Sequence, residues 1–304
     1  MDDIEPEENE DESQAAEGGK LVDIKIDFGG LTKPATVFLE KVSGAVGWVA
    51  NAESKQIVRM AEAEAKADLI LAESQIKLTE VQERGLKRVV HEEGKRQENI
   101  ESITKKAIPL LSEDAKPEEV EDDWITHFFE KSRLTSDDEM QTLWANILSG
   151  QANKPGSFSI RTINLVSMLD KDDAEGFTNL CSFIWIIEDN PVAMVLGLDV
   201  ETVKGAGLNF ALINHLEDVG LLTLNILGSY IETDLPKITK GSYFDHIFTM
   251  QFEKEDNNKI QTGIIVLSES GTELFHICKS TPNEGYFEEM IQNFEKEKIK
   301  INRD

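Results

Sequence analysis

Residues 51–108 limit the fold of this chain more than any other feature, because they favour a long α-helix. At 1.5 Å per residue the segment predicts one helix, or two joined by a bend near Gly85 or Gly94, of up to ~85 Å. Each acid–base pair at this spacing adds about 0.2–0.5 kcal/mol to an isolated helix. Six Glu residues precede a Lys or Arg by four positions: Glu62–Lys66, Glu73–Lys77, Glu80–Arg84, Glu83–Lys87, Glu92–Arg96 and Glu101–Lys105.

A narrow apolar stripe runs along the first half of this predicted helix. Its members step by three and four residues, as the contacts between paired helices do: they are Val58, Ala61, Ala65, Leu69, Ala72 and Ile76. The stripe fades between Thr79 and Arg96. Because so narrow a stripe is unlike the wide apolar face of a helix buried in its own chain, we predict a coiled coil and a homo-oligomer.

A shorter amphipathic helix is predicted at residues 34–50, where Pro34 suits the first helical turn. One face carries Phe38, Val42, Ala45, Val46 and Val49. We expect this face to pack against protein. Contact with a membrane surface is the alternative, although the polar face lacks the Lys and Arg enrichment of membrane-bound helices.

The remaining chain divides into three predicted parts. Residues 1–20 are an acidic tail with too few apolar residues to fold, and we expect disorder there. Residues 21–112 combine a short strand at 22–28, the amphipathic helix and the long charged helix into an oligomerisation stem. Residues 113–188, which begin with a linker at 114–123, predict a helical domain.

Start and stop signals divide that helical domain. We expect Asp122 or Asp123 to cap its first helix, the box Ser136–Glu139 to open the second, and Gly150 to end it. Ser157 or Ser159 starts the next helix, and Asp170 caps a helix that runs through Ile184.

Residues 189–304 change to a helix, helix, β-hairpin, helix order, which predicts a winged-helix-like α+β module. A helix ends near Gly220, and the last two helices open at Ser270–Glu273 and Thr281–Glu284, with Pro282 at a first helical position. The predicted fold class is therefore mainly α with a small α+β C-terminal part: a long N-terminal helix, a helical bundle and a winged-helix-like module.

Net charge excludes one large class of function. The formal charge is −27, of which residues 1–20 carry −8, residues 21–112 carry 0 and residues 113–304 carry −19. Binding to nucleic acid depends on neutralising phosphates with Lys and Arg. Winged-helix modules usually meet DNA through a basic helix, but the candidate helix at 209–218 contains neither residue. Binding to nucleic acid is therefore not expected. Because the sequence shows no signal peptide and no apolar run of about 18 residues, we expect a cytoplasmic protein.

No motif in the sequence supports catalysis. Phosphate-loop, zinc-protease and nucleophile-elbow patterns do not occur, and the five histidines have no metal-ligand spacing. Cys181 and Cys278 form no disulfide framework, so we expect buried free thiols. The sequence therefore predicts neither cofactor nor metal, and an enzyme is not favoured.

One stretch could bind an anion. From Met140 to Leu169 there is no Asp or Glu, and the segment carries Lys154, Ser157, Ser159 and Arg161 around a predicted helix start. A helix N-terminus with hydroxyls and an arginine can hold a phosphate or carboxylate. The other interpretation is a structural corner, in which Arg161 pairs with a carboxylate or carbonyl of the chain itself.

Several stretches, in order, resemble the bacterial domain-of-unknown-function 2806 family. They are GGLTKPATVFLEKVSGAVG (29–47), IVRMAEAEAKAD (57–68), residues 83–107, residues 122–177 and TGIIVLSESGTELFHIC (262–278). The resemblance covers most of residues 28–278. It implies a soluble bacterial protein of a kind that can occur near mobile or anti-phage genes, and it supplies no catalytic residue.

Two hypotheses follow from these features. In the first, a non-enzymatic interaction or scaffold protein self-associates through its long helix and presents acidic domains to a protein partner. The acidity favours a basic partner. In the second, an anti-phage defence sensor or effector binds an anionic ligand near Lys154 and Arg161.

Overall fold

A computed structural model describes residues 31–47 and 79–303 of the chain. The predicted tail (1–20), strand (22–28) and apolar stripe of the stem (58–76) lie outside these residues. The described helices are α1 Lys33–Val46, α2 Glu80–Ala107, α3 Asp122–Ser132, α4 Asp138–Asn153, α5 Ile160–Val166, α6 Lys171–Cys181, α7 Glu201–Gly205, α8 Phe210–Val219, α9 Glu269–Phe275 and α10 Glu284–Lys296. The strands are β1 Ile184–Ile187, β2 Asn190–Ala193, β3 Leu222–Leu224, β4 Tyr230–Leu235, β5 Ile238–Tyr243, β6 His246–Gln251, β7 Asn258–Gly263, β8 Ile265–Leu267 and β9 Lys300–Arg303.

Helix α1 packs by the apolar face that its sequence predicts. Phe38 and Val42 are buried together with Leu39, and they belong to the main hydrophobic core. The face contacts α3 and the short 3-10 turn Pro117–Glu119. The helix ends at Gly47, whose left-handed φ of 69° is the usual helix C-terminal conformation of glycine. Residues 48–50 of the predicted helix lie outside the described part of the chain.

Helix α2 begins at Glu80, inside the segment that we predicted as one or two long helices. Thr79 has extended backbone, and its hydroxyl accepts a hydrogen bond from the Gln82 N–H while the Gln82 side chain accepts from the Thr79 N–H. This capping box fixes the helix start. The 28-residue helix then runs through Gly85 and Gly94, so neither glycine ends it.

Ion pairs at the predicted spacing form within α2. Glu80 and Glu92 lie 3.8 Å from Arg84 and Arg96, respectively; the first pair is largely solvent-exposed and the second is partly exposed. Glu101 instead accepts a 2.8 Å hydrogen bond from Gln97. Surface pairs of this kind contribute at most about 1 kcal/mol each, so they favour the helix without holding it to the rest of the protein.

Several predicted helix boundaries in the next segment are wrong by a few residues. The N-cap of α3 is Glu121, which leaves Asp122 and Asp123 in the first turn, where their charges favour the helix dipole. Asp137, rather than Ser136, caps α4 by accepting from the Glu139 and Met140 N–H groups. Residues 114–121 are no free linker, because Ala115, Pro117 and Val120 are buried.

Gly150 lies inside α4 rather than at its end, and the reason is a close contact. A Cβ atom at this position would lie 2.7 Å from Cε2 of Phe158, which is buried in the core. Glycine therefore occupies this position because the Phe158 ring packs directly against the helix backbone. The helix continues to Asn153. Ser159 caps α5 and Asp170 caps α6, as predicted. Helix α6 ends at Cys181, however, and Ile184 belongs to β1.

A five-stranded antiparallel sheet in the order β2-β1-β5-β6-β9 follows the helices. Trp185 of β1 is fully buried and forms ring contacts with Tyr243, Phe248, Phe287 and Phe294. The last two rings come from α10, so this helix covers one face of the sheet. The large aromatic surface buried here makes the cluster the core of the C-terminal part.

Tyr243 connects that core to the helices. Its hydroxyl donates a 2.7 Å hydrogen bond to the Ser182 carbonyl after α6 and accepts one of 2.7 Å from the Asn283 N–H before α10. Burial raises the pKa of Tyr243 to about 12. The strand β1 and this hydrogen bond join residues 182–187 to the sheet, inside the range predicted as helical.

The remaining elements surround α7 and α8. Helix α8 ends at Gly220 as predicted, and β3 then pairs with β8 while β4 pairs with β7. Helix α9 is capped by Ser268 rather than Ser270, and α10 by Asn283, which leaves Pro282 outside the helix. The broad prediction of a mainly α protein with a small β-containing C-terminal part is confirmed.

Gly271 and Gly94 provide a matched pair for testing close packing. A Cβ at Gly271 would lie 2.1 Å from the Leu221 carbonyl oxygen, whereas nothing lies within 4 Å of one at Gly94. We expect Gly271→Ala to lower the free energy of unfolding by about 1–3 kcal/mol. Gly94→Ala should raise it by up to about 1 kcal/mol, because alanine favours helix. Urea unfolding measures both, and equal effects would contradict the contact.

Candidate interaction surfaces

The residues predicted to bind an anion lie between α4 and α5, beside α9. Ser159 caps α5 by accepting from the Thr162 N–H, and the Ser157 hydroxyl donates a 2.7 Å hydrogen bond to the Lys154 carbonyl. Arg161 lies in the first turn of α5. Three of the four predicted residues therefore lie close to the helix start, and Lys154 contributes its backbone to the turn.

Two carboxylates from the chain itself approach this helix start. Oε2 of Glu273 lies 2.9 Å from the Ser159 nitrogen, which donates to it, and 3.4 Å from the Ser159 hydroxyl. Oε2 of Glu269 lies 2.9 Å from Nη1 of Arg161. Negative charge at a helix N-terminus is favourable, so α9 supplies the anion that this start can accept.

A groove of about 350 Å³ lies between α4, α6 and the end of α9. Its walls are mainly apolar and include Met140, Leu143, Phe177, Leu274 and Ile277. At its rim, Nζ of Lys171 lies 2.8 Å from Oε2 of Glu139, and this carboxylate raises the pKa of Lys171. The groove has the size of a small-molecule site, but Lys171 and Glu139 at its rim already pair with each other.

Cys278 lines the same groove, and Cys181 lies behind it. The two thiols hydrogen-bond to each other, and the Cys278 sulfur is 3.6 Å from the Thr178 hydroxyl oxygen. Burial raises the pKa of Cys181. The hydrogen bond from Cys181 lowers the pKa of Cys278, and Thr178 contributes in the same direction. The predicted pair of free thiols is confirmed, but only Cys181 is fully buried.

The C-terminal part of α2 docks onto α4. Ile100 and Ile103 are buried in the main core together with Ala107. A polar network accompanies them: Asn99 accepts a 3.1 Å hydrogen bond from Gln141, and Gln141 accepts one of 2.7 Å from Ser102. Buried polar groups that satisfy each other in this way fix a single docking arrangement.

The N-terminal part of α2 projects beyond this docked region. No residue from 80 to 98 is buried, and the first buried one is Asn99. Leu86, Val89 and Val90 are 41%, 48% and 54% exposed. They lie on the face that continues, in steps of three and four residues, into Ile100. The projecting segment, residues 80–98, thus carries a separate exposed apolar patch on the same side of the helix, and Glu93 and Gln97 lie between this patch and Ile100.

Neither a group of metal ligands nor a membrane-spanning helix occurs in the described part of the chain. Within residues 31–47 and 79–303, His, Cys, Asp and Glu form no group of three that could hold a metal ion. In the same ranges no helix has both the length and the apolar character that crossing a bilayer requires.

The sequence analysis did not predict two features of these surfaces: the carboxylates at the start of α5 and the exposed apolar residues of α2. Glu269 and Glu273 are 108 and 114 residues from their partners at the start of α5, so no local pattern connects them. The exposed Leu86, Val89 and Val90 were visible as apolar residues at helical spacing. The predicted stripe nevertheless fades between Thr79 and Arg96, where Gly85 and Gly94 interrupt it.

The roles of Glu273 and Arg161 can be separated by mutation. We expect Glu273→Ala to lower the free energy of unfolding by about 1–2 kcal/mol, because it removes a charge-assisted hydrogen bond from a helix start. Arg161→Ala should cost less than about 1 kcal/mol, since its side chain is 75% exposed. Urea unfolding compares the two variants. A larger loss for Arg161→Ala would contradict this assignment.

The two cysteines should differ in reactivity. Because the thiolate is the reactive form, we expect iodoacetamide to modify Cys278 in the folded protein and to leave Cys181 intact. The alkylation rate of Cys278 should reach half its maximum below the pH at which an ordinary thiol does, in line with its lowered pKa. Peptide mass spectrometry with Cys278→Ser as the control measures this, and modification of Cys181 first would refute it.

Comparison with known proteins finds one relationship. A family model described as a protein of unknown function (DUF2806) matches residues 83–291, which includes most of α2, the helices that follow it and nearly all of the C-terminal part. No curated protein and no solved structure matches the chain. The match covers more than half of the sequence, and the chain therefore belongs to the DUF2806 family.

Proposed function

We propose that this protein is a non-enzymatic interaction or scaffold protein that self-associates through its long helix and presents its acidic domains to a protein partner. The observation that carries the proposal is the projecting segment of α2. Its three exposed apolar residues, Leu86, Val89 and Val90, form a patch on the same side of the helix as the residues that are buried where it docks. Apolar surface arranged in this way on a projecting helix is typical of a helix-pairing interface.

Charge supports self-association at this place. The projecting segment contains five acidic and five basic residues and is neutral, whereas residues 113–304 carry −19. Two copies of so acidic a protein repel each other over most of their surface. The neutral segment is where they can approach with the smallest electrostatic cost.

The C-terminal part supports a protein partner rather than DNA. We propose that α7, α8 and the strand pairs β3–β8 and β4–β7 form the predicted winged-helix-like module. In the chain order, β5 and β6 lie between β4 and β7. Helix α8 contains no Lys or Arg. Phe210 at its start and Ile226 and Leu227 after β3 are exposed, Leu227 by 95%. Exposed apolar residues on an acidic surface suit a protein partner, including a basic one.

The second hypothesis, a defence sensor or effector with an anionic ligand near Lys154 and Arg161, has less support. A ligand at the start of α5 would have to displace Glu273 from the Ser159 N–H and Glu269 from Arg161. Replacing carboxylates already in place offers little gain in binding free energy. The geometry therefore favours the interaction protein.

The proposal is tested by the mass of the intact protein in solution. Size-exclusion chromatography with light scattering should give a dimer or larger oligomer for the full chain. We expect the double variant Leu86→Gln, Val90→Gln to shift the population toward monomer, because it removes two of the three exposed apolar side chains of this face.

Val81→Gln is the matched control. Val81 is 68% exposed on the same helix but lies away from this patch, so its substitution should leave the mass unchanged. Circular dichroism confirms that each variant keeps its helical content. A monomeric wild-type chain would contradict the proposed function.

A further inference from the structure

We propose that Cys181 and Cys278 form a redox-active pair, in which a hydroperoxide oxidises Cys278 and Cys181 then closes a disulfide bond with it. They are the two cysteines of the chain. Neither belongs to α2, so the site does not depend on the proposed self-association.

The two thiols differ in their access to solvent. Cys181 is the last residue of α6 and is fully buried. Cys278 lies three residues after the end of α9, is partly exposed and lines the apolar groove between α4, α6 and α9. A hydroperoxide is small and uncharged, so neither the apolar walls nor the acidic surface opposes its approach. It therefore meets Cys278 before Cys181.

Three hydrogen-bond donors surround the sulfur of Cys278. The Cys181 thiol bonds to it, the Thr178 hydroxyl oxygen lies 3.6 Å away, and the Ser280 backbone N–H is the third donor. All three stabilise the thiolate and so lower the pKa of Cys278. Burial raises the pKa of Cys181, which keeps its proton. Because the thiolate is the nucleophilic form of cysteine, Cys278 is the thiol that reacts first.

The oxidation proceeds in two steps. First, the Cys278 thiolate attacks the terminal oxygen of the hydroperoxide, and the O–O bond breaks. The leaving oxygen takes a proton from solvent, which gives water or an alcohol and a sulfenic acid on Cys278. Second, the Cys181 sulfur attacks the sulfenic sulfur, the S–O bond breaks, and the departing hydroxide takes the Cys181 proton to form water. In total, two electrons pass from the sulfurs to the peroxide.

The position of Cys181 favours the disulfide over further oxidation. A sulfenic acid that meets no thiol is oxidised to sulfinic and sulfonic acid. Here the second thiol already contacts the first. Residues 278–283 belong to no helix or strand, so they can supply the small shift that brings the two sulfurs to a bonding distance of about 2.05 Å. The bond joins the end of α6 to the segment after α9 beside the groove.

Oxidation of the intact, reduced protein by hydrogen peroxide tests the pair. The reaction is stopped with catalase, remaining thiols are blocked with N-ethylmaleimide, and peptide mass spectrometry identifies the products. We expect both thiols to disappear together, with the peptides of Cys181 and Cys278 linked and two hydrogen atoms lost. Dithiothreitol should restore both thiols. A mixture of isotope-labelled and unlabelled chains distinguishes a bond within one chain from a bond between two.

Two single variants separate the roles of the thiols. In Cys181→Ala, dimedone should trap a sulfenic acid on Cys278, because no second thiol removes it. In Cys278→Ser, the Cys181 thiol should be lost at least about tenfold more slowly than in the unchanged protein, because it is buried and protonated. Circular dichroism checks the helical content of each variant. The peptide map of the unchanged protein decides the pairing even if a variant does not fold.

Several outcomes would overturn the proposal. One is conversion of Cys278 to sulfinic or sulfonic acid while Cys181 stays reduced. Another is a disulfide between chains, recognised by linked peptides of mixed isotope content. A third is resistance of both thiols at a peroxide concentration that oxidises free glutathione. A bond between Cys181 and Cys278 of one chain would support the proposal, whether light scattering finds a monomer or an oligomer.

Discussion

The docking of the last two turns of α2 onto α4 governs the rest of this structure. Ile103 and its apolar neighbours are buried there, and the hydrogen bonds among Asn99, Ser102 and Gln141 satisfy each other inside the contact. Lys106 adds a 2.8 Å hydrogen bond to the Asp138 carbonyl at the start of α4. Because this end of the helix is held in one position, the preceding 19 residues are directed away from the domain.

When a helix is anchored at one end only, the side chains of its other end remain exposed to solvent. In α2 one side of that end is apolar at Leu86, Val89 and Val90, and it lies in line with the anchored residues. One side of α2 therefore packs within the molecule after residue 98, and its apolar residues before residue 91 remain exposed, which is the surface for which we propose association. The neutral charge of this segment, within an acidic molecule, makes it the natural place for contact between copies.

The stretch without acidic residues between Met140 and Leu169 has a structural explanation. Helix α9 places Glu273 at the start of α5 and Glu269 beside Arg161. Thr162 donates a 2.9 Å hydrogen bond to Ser270 of the same helix. An acid within the stretch would repel these carboxylates, so the chain brings its negative charge to this helix start from more than 100 residues away.

Local features of the sequence determined most elements of the fold. The apolar face of α1, the caps Ser159 and Asp170, the end of α8 at Gly220 and the mainly α class were all readable, because each depends on spacing within a few residues. The sequence did not predict the capping box of Thr79 and Gln82 that begins α2, because strongly helix-forming residues lie on both sides of it. The position of Gly150 inside α4 also could not be read, because the reason lies in Phe158.

Tertiary structure alone decided which surfaces are occupied and which remain available. The sequence by itself determined a neutral charged helix, an acidic remainder and two free thiols. It did not determine that Glu269 and Glu273 meet α5, that Cys278 lines a groove in front of Cys181, or that α2 is buried only after residue 98. These outcomes depend on contacts between residues that are tens to more than a hundred positions apart. The spacing of apolar residues predicts structure only within one helix or strand, so it does not predict such contacts.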